Sequence, residues 1–255
     1  MNPLRDDFAR ALDPVELARQ ALGMEPDPWQ SKLLRSSADR VLVLASRQAG
    51  KTVTLGLAAL HAALYEPGAL VLVVSASERQ ARELFRVAVQ AYRSLGRPVA
   101  SEGETALELR LESGSRVIVL PATSATIRGY SRVRLLIVDE AAQVSDDTYA
   151  TVRPMLAVSG GRLVAASTPY GRRGWFFEAW HGPEPWERYR VPASECPRIS
   201  SAFLAEEERA LGPWWFRQEY ACEFLADETA AFDPADVARA VDPEVDAWND
   251  LIPTL

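Results

Sequence analysis

The sequence predicts an α/β protein whose core is a mostly parallel sheet flanked by helices, followed by a small C-terminal helical subdomain. Three observations lead there. Short apolar runs rich in Val and Leu recur at Val41–Ala45, Leu70–Val74, Arg116–Leu120, Leu135–Val138 and Leu163–Ala166, as expected of strands buried on both faces. Helical or polar stretches separate these runs, the alternation that builds right-handed crossovers between parallel neighbours. Finally, a Gly-Lys-Thr turn follows the first run and a carboxylate pair closes the fourth, at the strand ends where open parallel sheets place their ligands.

The elements follow in order. Pro28-Trp29-Gln30 precedes a short helix before the first strand. Lys51–Tyr65 repeats Leu and Ala at helical spacing and stops before Pro67-Gly68, and Ser77 caps an amphipathic helix running to about Leu95. Thr105–Leu111 and Arg116–Leu120 are alternating runs joined by Glu112-Ser113-Gly114-Ser115, a hairpin signal that predicts an antiparallel excursion at the sheet edge. From Pro183 the pattern becomes Pro-interrupted and then helical, over Ser201–Leu211 and Pro213–Cys222, with Trp214, Trp215, Phe216, Tyr220 and Phe224 along the second helix. The expected organisation is a core over residues 1–182 and a helical or linker subdomain over 183–255, with no internal repeats.

Composition bounds the partners. At 255 residues and 48% hydrophobic content, the chain can bury a large core. No run approaches the roughly 18 apolar residues of a membrane span, and Met1–Arg10 lacks the apolar centre of a signal peptide, so a cytoplasmic location without a membrane partner is expected. Cys196 and Cys222 lie far apart with no metal-ligand spacing and read as buried apolar residues. The net charge of −7 is uneven: residues 201–255 hold 13 acids and 3 arginines, leaving 22 acids and 25 bases before them. Charge alone would not bind the whole chain tightly to DNA, but it leaves room for a basic face on residues 1–200. Lys32 and Lys51 are the only lysines beside 26 arginines. Retention of Lys at 51 suggests that a compact ammonium is needed there.

Residues 45–52, Ala-Ser-Arg-Gln-Ala-Gly-Lys-Thr, match G-x-x-x-x-G-K-[ST] except that Ala45 replaces the first glycine. A strand ends at Ala45 and a helix starts near Lys51, so backbone N–H groups and the helix dipole converge where phosphates would sit. Gly50 permits close approach, Lys51 reaches the β- and γ-phosphates, and the Thr52 hydroxyl can ligate Mg²⁺. The plain alternative is an incidental strand-turn-helix. Leu135–Val138 delivers Asp139 and Glu140 to the same sheet edge, Asp139 to hold Mg²⁺ and Glu140 to orient and deprotonate water. A simple cap on the next segment is the alternative there. Together the two motifs specify an ATP-hydrolysing P-loop protein of the ASCE, RecA-like type.

Other residues could support that chemistry. Arg47 could reach the γ-phosphate, or face solvent. Arg128, Arg132 and Arg134 precede the carboxylate strand at its opposite end, where they would serve a neighbour's ATP in a ring or form a solvated basic loop. Ser167-Thr168-Pro169 puts two hydroxyls at the Glu140 edge, to sense phosphate or to begin a turn. The Gln30 amide could pair with adenine, while Trp29 reads as core.

Trp29-Gln30, Ser46-Arg47-Gln48-Ala49-Gly50-Lys51-Thr52, Leu135–Glu140 and Ser167-Thr168-Pro169 together resemble the ATPase domain of the large terminase subunit of tailed bacteriophages, which packages DNA into the procapsid. Ile199–Phe203 and Phe216–Phe224 resemble segments that follow that core, so the likeness spans nearly the whole chain. The resemblance implies a nucleotide site formed by Gln30 and residues 46–52, with Gln30 at adenine and Arg47 sensing phosphate. It further implies Thr52 and Asp139 at Mg²⁺, Glu140 as base, Ser167–Pro169 as the coupling motif and Arg128 as an arginine reaching the next subunit. The partners it implies are double-stranded DNA, the portal and procapsid, the small terminase subunit and further copies in a ring, a pentamer in the family, with a monomer in isolation as the alternative. The location it implies is the host cytoplasm. Large terminases continue into a nuclease domain, which is not expected before Leu255, so no DNA cleavage is expected. The competing readings are a helicase-like or remodelling ATPase, and a non-hydrolysing scaffold.

Overall fold

A computed structural model of the chain describes residues 3–122, 127 and 129–226. Eight strands form one sheet: β1 (Arg40–Ala45), β2 (Leu70–Ser75), β3 (Ser101–Glu104), β4 (Glu108–Leu111), β5 (Arg116–Pro121), β6 (Val133–Asp139), β7 (Arg162–Ser167) and β8 (Glu187–Val191). Their order is β3-β4-β5-β2-β6-β7-β1-β8. From β5 to β8 every pair is parallel, and only β3–β4 and β4–β5 are antiparallel.

The central strands read as unbroken apolar runs because both faces are covered. Val41, Val43, Val71, Val73, Ile137 and Val164 pack on one side, toward α2 (Pro14–Leu22), α3 (Pro28–Arg35), α4 (Lys51–Tyr65) and α5 (Glu78–Ser94), which α1 (Pro3–Leu12) precedes. Leu42, Leu44, Leu72, Val74, Leu136 and Val138 pack on the other, with Met155 and Leu156 and with Trp175 and Phe176 of α7 (Gly174–His181). The short helix α6 (Asp146–Val152) contributes Val152 to that second layer. Adjacent residues on each strand thus go to opposite layers, the period of two that pleating imposes. On α5, Ala81, Leu84, Phe85, Ala88 and Tyr92 form the buried stripe, Ser77 caps the helix through the Gln80 N–H, and Arg82 and Arg86 pair with Glu78 and Glu83 on the wet face.

Two local expectations change. Thr105–Leu111 is not one strand: the Thr105 hydroxyl accepts hydrogen bonds from the backbone of Leu107 and Glu108 at 3.3 and 3.0 Å, making a turn that separates β3 from β4. The core sheet also extends past residue 182, because β8 pairs in parallel with β1 through Val41↔Glu187 to Ala45↔Val191. Its polar sequence conceals it, as suits an edge strand. The Arg188 guanidinium donates to the carbonyls of Trp180, Ala179 and Gly182, tying β8 to the end of α7. The helix α8 (Ser201–Glu219) bends at Gly212, whose φ of 77° and ψ of 164° are not helical, immediately before Pro213. The two predicted helices are therefore both present, separated at Gly212, and the second ends at Glu219. Residues 227–255 of the expected C-terminal subdomain lie outside the described residues. No described helix is long and apolar enough to cross a membrane.

Gly161 enters β7 under the start of β6. A Cβ there would lie 2.1 Å from the Val133 carbonyl oxygen and 2.9 Å from that of Arg134, both backbone atoms that cannot swing away. Gly161→Ala should therefore cost about 1–3 kcal/mol by forcing the sheet apart. Urea unfolding of the purified variant measures the loss, and an unchanged midpoint would contradict the packing described.

Candidate active site: a phosphate loop facing two carboxylates

Parallel register assembles the site. Leu44 of β1 lies opposite Ser167 of β7, and Ala166 lies opposite Asp139 of β6, so three strand ends deliver their following residues to one edge. Between β1 and α4 the loop turns through two positive-φ residues, Gln48 at 60° and Gly50 at 95°. Gly50 has no alternative: a Cβ there would lie 2.7 Å from Gln30 Nε2 and 3.3 Å from Arg198 Nη2. The Lys51 ammonium is only 8% exposed and donates to the carbonyl oxygens of Ala45 at 2.9 Å and Ser46 at 3.0 Å. An ammonium has three protons, so one donor remains for an anion.

Above this loop opens a cavity of about 310 Å³ lined by Arg47–Val53, Gln80, Glu140, Gln143 and Thr168. Asp139 lies beneath it, 3% exposed, with Oδ1 buried and without a hydrogen-bond partner. Burial pushes its carboxyl up to about 7, the Glu140 charge adds to the rise, and Lys51 opposes it. Glu140 takes the left-handed conformation, φ 50° and ψ 47°, and its Oε2 accepts long contacts from Ser167 Oγ at 3.3 Å, Thr168 Oγ1 at 3.4 Å and Thr168 N at 3.5 Å. The Ser167 hydroxyl also accepts from Ala142 N–H at 3.2 Å, fixing the turn that follows the carboxylates.

Arg47, Gln48, Ala49, Gly50, Lys51, Thr52, Glu140 and Thr168 all border the cavity, as the motifs predict. Others do not. Ser46 is fully buried and contributes its carbonyl to Lys51 and its N–H to Val191 O at 2.9 Å. Gln30 is 1% exposed: Oε1 accepts from Asp27 N–H at 2.8 Å, and Nε2 donates to Thr54 Oγ1 at 2.9 Å and to Gly50 O at 3.4 Å. Buried, hydrogen-bonded at both ends within the chain and absent from the cavity wall, Gln30 here braces the loop from below. Pro169 lines a neighbouring cavity. Arg134 pairs with Glu66 at the far end of β6, about 20 Å from Glu140 at the usual rise per strand residue, and Arg132 precedes it. Arg128 lies outside the described residues. Trp29 packs against the core, and Cys196 and Cys222 are buried free thiols, as expected.

Sequence reasoning missed the residues that hold the loop from outside. Arg47 pairs with the Glu219 carboxylate, and the Arg47 N–H donates to Glu219 O at 3.1 Å. Arg198 bridges Asp27 Oδ1 at 2.6 Å and Ala49 O at 3.0 Å. Partners more than a hundred residues away leave no local signal. Gln143, three residues beyond Glu140 and facing the cavity, could have been found from its spacing. A separate cavity of about 230 Å³ among Pro14, His61, Arg134 and Arg162 opens at the other end of the sheet and holds none of the motif residues.

Because folding raises the Asp139 pKa, the native state is favoured below the ordinary carboxylate value and loses that advantage as the pH rises from about 4 to about 7. Without metal, Asp139→Asn should melt at a higher temperature than the parent at about pH 8, the difference shrinking toward about pH 5. Thermal melts across that range test it, and a gap that is constant with pH would refute the buried ionisation.

The family model described as "Terminase large subunit, T4likevirus-type, N-terminal" matches residues 42–239. The terminase large subunit of Thermus virus P23-45 is 25% identical over 268 residues, covering 89% of this chain and 54% of the relative, so the chain spans about half the length of the curated relatives it matches. Among solved structures, the large terminase ATPase domain of Thermus phage P74-26 superposes with a TM-score of 0.73 at 24% identity, over 84% of this chain and all of that one. The large terminase of the thermophilic bacteriophage D6E in complex with ATP-gamma-S gives 0.61 at 14% identity, over 78% and 53% of the two chains. The latter two likenesses establish the same fold, and the family match establishes membership: this chain belongs to the terminase large subunits, matching their N-terminal part.

Proposed function

We propose that the chain hydrolyses ATP with Mg²⁺ and that turnover drives double-stranded DNA into a procapsid. The observation that carries the chemistry is the meeting of Lys51 and Glu140 on one cavity at the sheet's carboxyl edge, with the unpaired Asp139 oxygen buried next to Glu140 at the end of β6. A triphosphate laid on the loop takes the third Lys51 proton and the free N–H groups of the first turn of α4.

A divalent ion fits the donor set. Asp139 supplies a buried carboxylate oxygen and Thr52 a half-buried hydroxyl, and no cluster of three His, Cys, Asp or Glu side chains exists among the described residues. That sparse oxygen set suits Mg²⁺, which keeps water and phosphate ligands, better than Ca²⁺, which takes six to eight oxygens. Bound there, Mg²⁺ would neutralise charge on the phosphate oxygens. Glu140, steadied by the two hydroxyls, accepts the proton of the attacking water, and Ser167 and Thr168 link that carboxylate to β7.

The DNA, portal, small-subunit and ring partners, and the host cytoplasm where they meet, rest on family membership. In the ring, Arg128 is assigned to the neighbour's triphosphate. Double-stranded DNA taken up by procapsids and shielded from nuclease reports the packaging step.

Glu140→Gln should lower phosphate release by at least about 100-fold while ATP-gamma-S still binds, and retained turnover would remove Glu140 as the base. In assembled rings, Arg128→Ala subunits mixed with Glu140→Gln subunits should regain part of the turnover that each lacks alone. Mixtures as inactive as their components would count against an arginine acting between subunits.

A further inference from the structure

Gln143 faces the phosphate cavity with an unused amide. Its backbone N–H donates to the Glu140 carbonyl at 2.9 Å, closing the turn Ala141–Gln143 that follows the carboxylates. A turn closed from residue i to residue i+3 sets its first and last residues side by side, and Glu140 and Gln143 both border the cavity. The Gln143 side chain is exposed, and its amide has no hydrogen-bond partner among the described residues. The backbone beneath it is held on both sides. Ala142 N–H donates to Ser167 Oγ at 3.2 Å, and the Val144 carbonyl accepts from the buried Trp175 Nε1 at 3.0 Å. The amide therefore projects from a fixed point with both its oxygen and its nitrogen free.

The carboxylate beside it is half used. Ser167 Oγ, Thr168 Oγ1 and Thr168 N all contact Oε2 of Glu140, which leaves Oε1 for water. Gln143 also stands where two cavities meet. Beyond the phosphate cavity lies a space of about 370 Å³ that shares Arg47, Gln143 and Thr168 with it and is walled on the far side by residues including Tyr170, Trp214 and Trp215. A space of that size has room for several waters. In-line displacement brings the nucleophile from the side opposite the leaving oxygen, away from the loop that cradles the phosphates. The boundary between the cavities lies on that side, and Gln143 is set in it.

We propose that Gln143 is a further catalytic residue, whose amide oxygen accepts a hydrogen bond from the attacking water while Glu140 takes that water's other proton. The proposal rests on the ATPase reading and deepens it. A water has two protons, and two acceptors are needed to turn one lone pair toward phosphorus. Glu140 Oε1 supplies one acceptor and Gln143 Oε1 the other. The water oxygen then bonds to the γ-phosphorus, and the bond from that phosphorus to the β–γ bridging oxygen breaks, its electron pair leaving on ADP. One proton passes to Glu140, and the second stays on the new phosphate hydroxyl, held by Gln143. A neutral amide accepts this bond without adding a negative charge beside the γ-phosphate.

The test is steady-state phosphate release by the full chain, with ATP-gamma-S titrations alongside. Gln143→Leu, which removes the acceptor and keeps the bulk, should lower kcat about 10- to 100-fold while KM and ATP-gamma-S affinity change less than about 2-fold. Gln143→Glu keeps an acceptor and should recover at least about 5-fold over Gln143→Leu. In the Glu140→Gln background the leucine should cost less than about 2-fold more, because both residues act on one water. Gln143→Ala should repeat the loss if Gln143→Leu folds poorly. Unchanged turnover in Gln143→Leu, a loss in KM or ATP-gamma-S affinity instead of kcat, a Gln143→Glu variant as slow as Gln143→Leu, or a full further loss in the Glu140→Gln background would each overturn the role and leave ATP hydrolysis standing. A parent chain that releases no phosphate would overturn the ATPase reading and this role with it.

Discussion

Parallel register between β1, β7 and β6 is the constraint on which the site depends. With Leu44 opposite Ser167 and Ala166 opposite Asp139, the phosphate loop, the hydroxyl pair and the carboxylate pair must emerge together. Slipping one strand by a single residue would move Val138 to the edge and turn Asp139 toward the opposite layer. That slip is resisted by the core, since Val41, Val43, Ile137 and Val164 on one face and Leu42, Leu44, Leu136 and Leu163 on the other are buried only in this alignment. Packing against both helical layers thus fixes where the Lys51 loop stands relative to the two carboxylates.

The same edge collects the features that folding alone would avoid. Gln48 and Glu140 hold positive φ without being glycine, Lys51 is buried on two carbonyls with no carboxylate salt bridge, and Asp139 Oδ1 is buried without a partner. Each costs stability, and together they form a site complementary to a charged ligand and not to itself. Elsewhere local preference and fold agree: Ser77, Ser145 and Ser200 cap their helices, and arginines pair with glutamates along α5. Strain and unsatisfied polarity concentrated at one cleft are expected where binding restores the balance.

Legibility followed the range of the physics. Strands β1, β2, β5, β6 and β7 were readable because burial on both faces leaves a run of Val and Leu, and α4 and α5 because their stops and caps are local. β8 was not readable, since an edge strand half open to water keeps Glu187, Arg188 and Arg190. Lys51, Thr52, Asp139 and Glu140 could be placed from strand ends alone. Gln30 was assigned from its amide's capacity for adenine, but that capacity is used inside the chain, on Asp27, Thr54 and Gly50, and pairing of this kind appears only in three dimensions. Glu219 and Arg198 were invisible for the same reason: their relation to the loop exists only once α8 and the turn after β8 have folded back onto it.

The division between lysine and arginine at the loop follows from these contacts. At position 51 the cation is buried and held by two carbonyl oxygens about 3 Å away, a geometry that suits a compact ammonium with one proton left for phosphate. A guanidinium there would bring five donors in a rigid plane, more than the loop can satisfy. At position 47 the demands reverse. The cation lines the cavity, pairs with a carboxylate at the end of α8 and remains charged at any working pH, which suits a guanidinium. In a chain with 26 arginines, Arg47 is the one set inside the phosphate loop, and its pairing with Glu219 gives the loop a second contact to the C-terminal helix beyond the backbone bond. The buried lysine is fixed on two carbonyl oxygens of its own loop, while the exposed arginine ties that loop to α8.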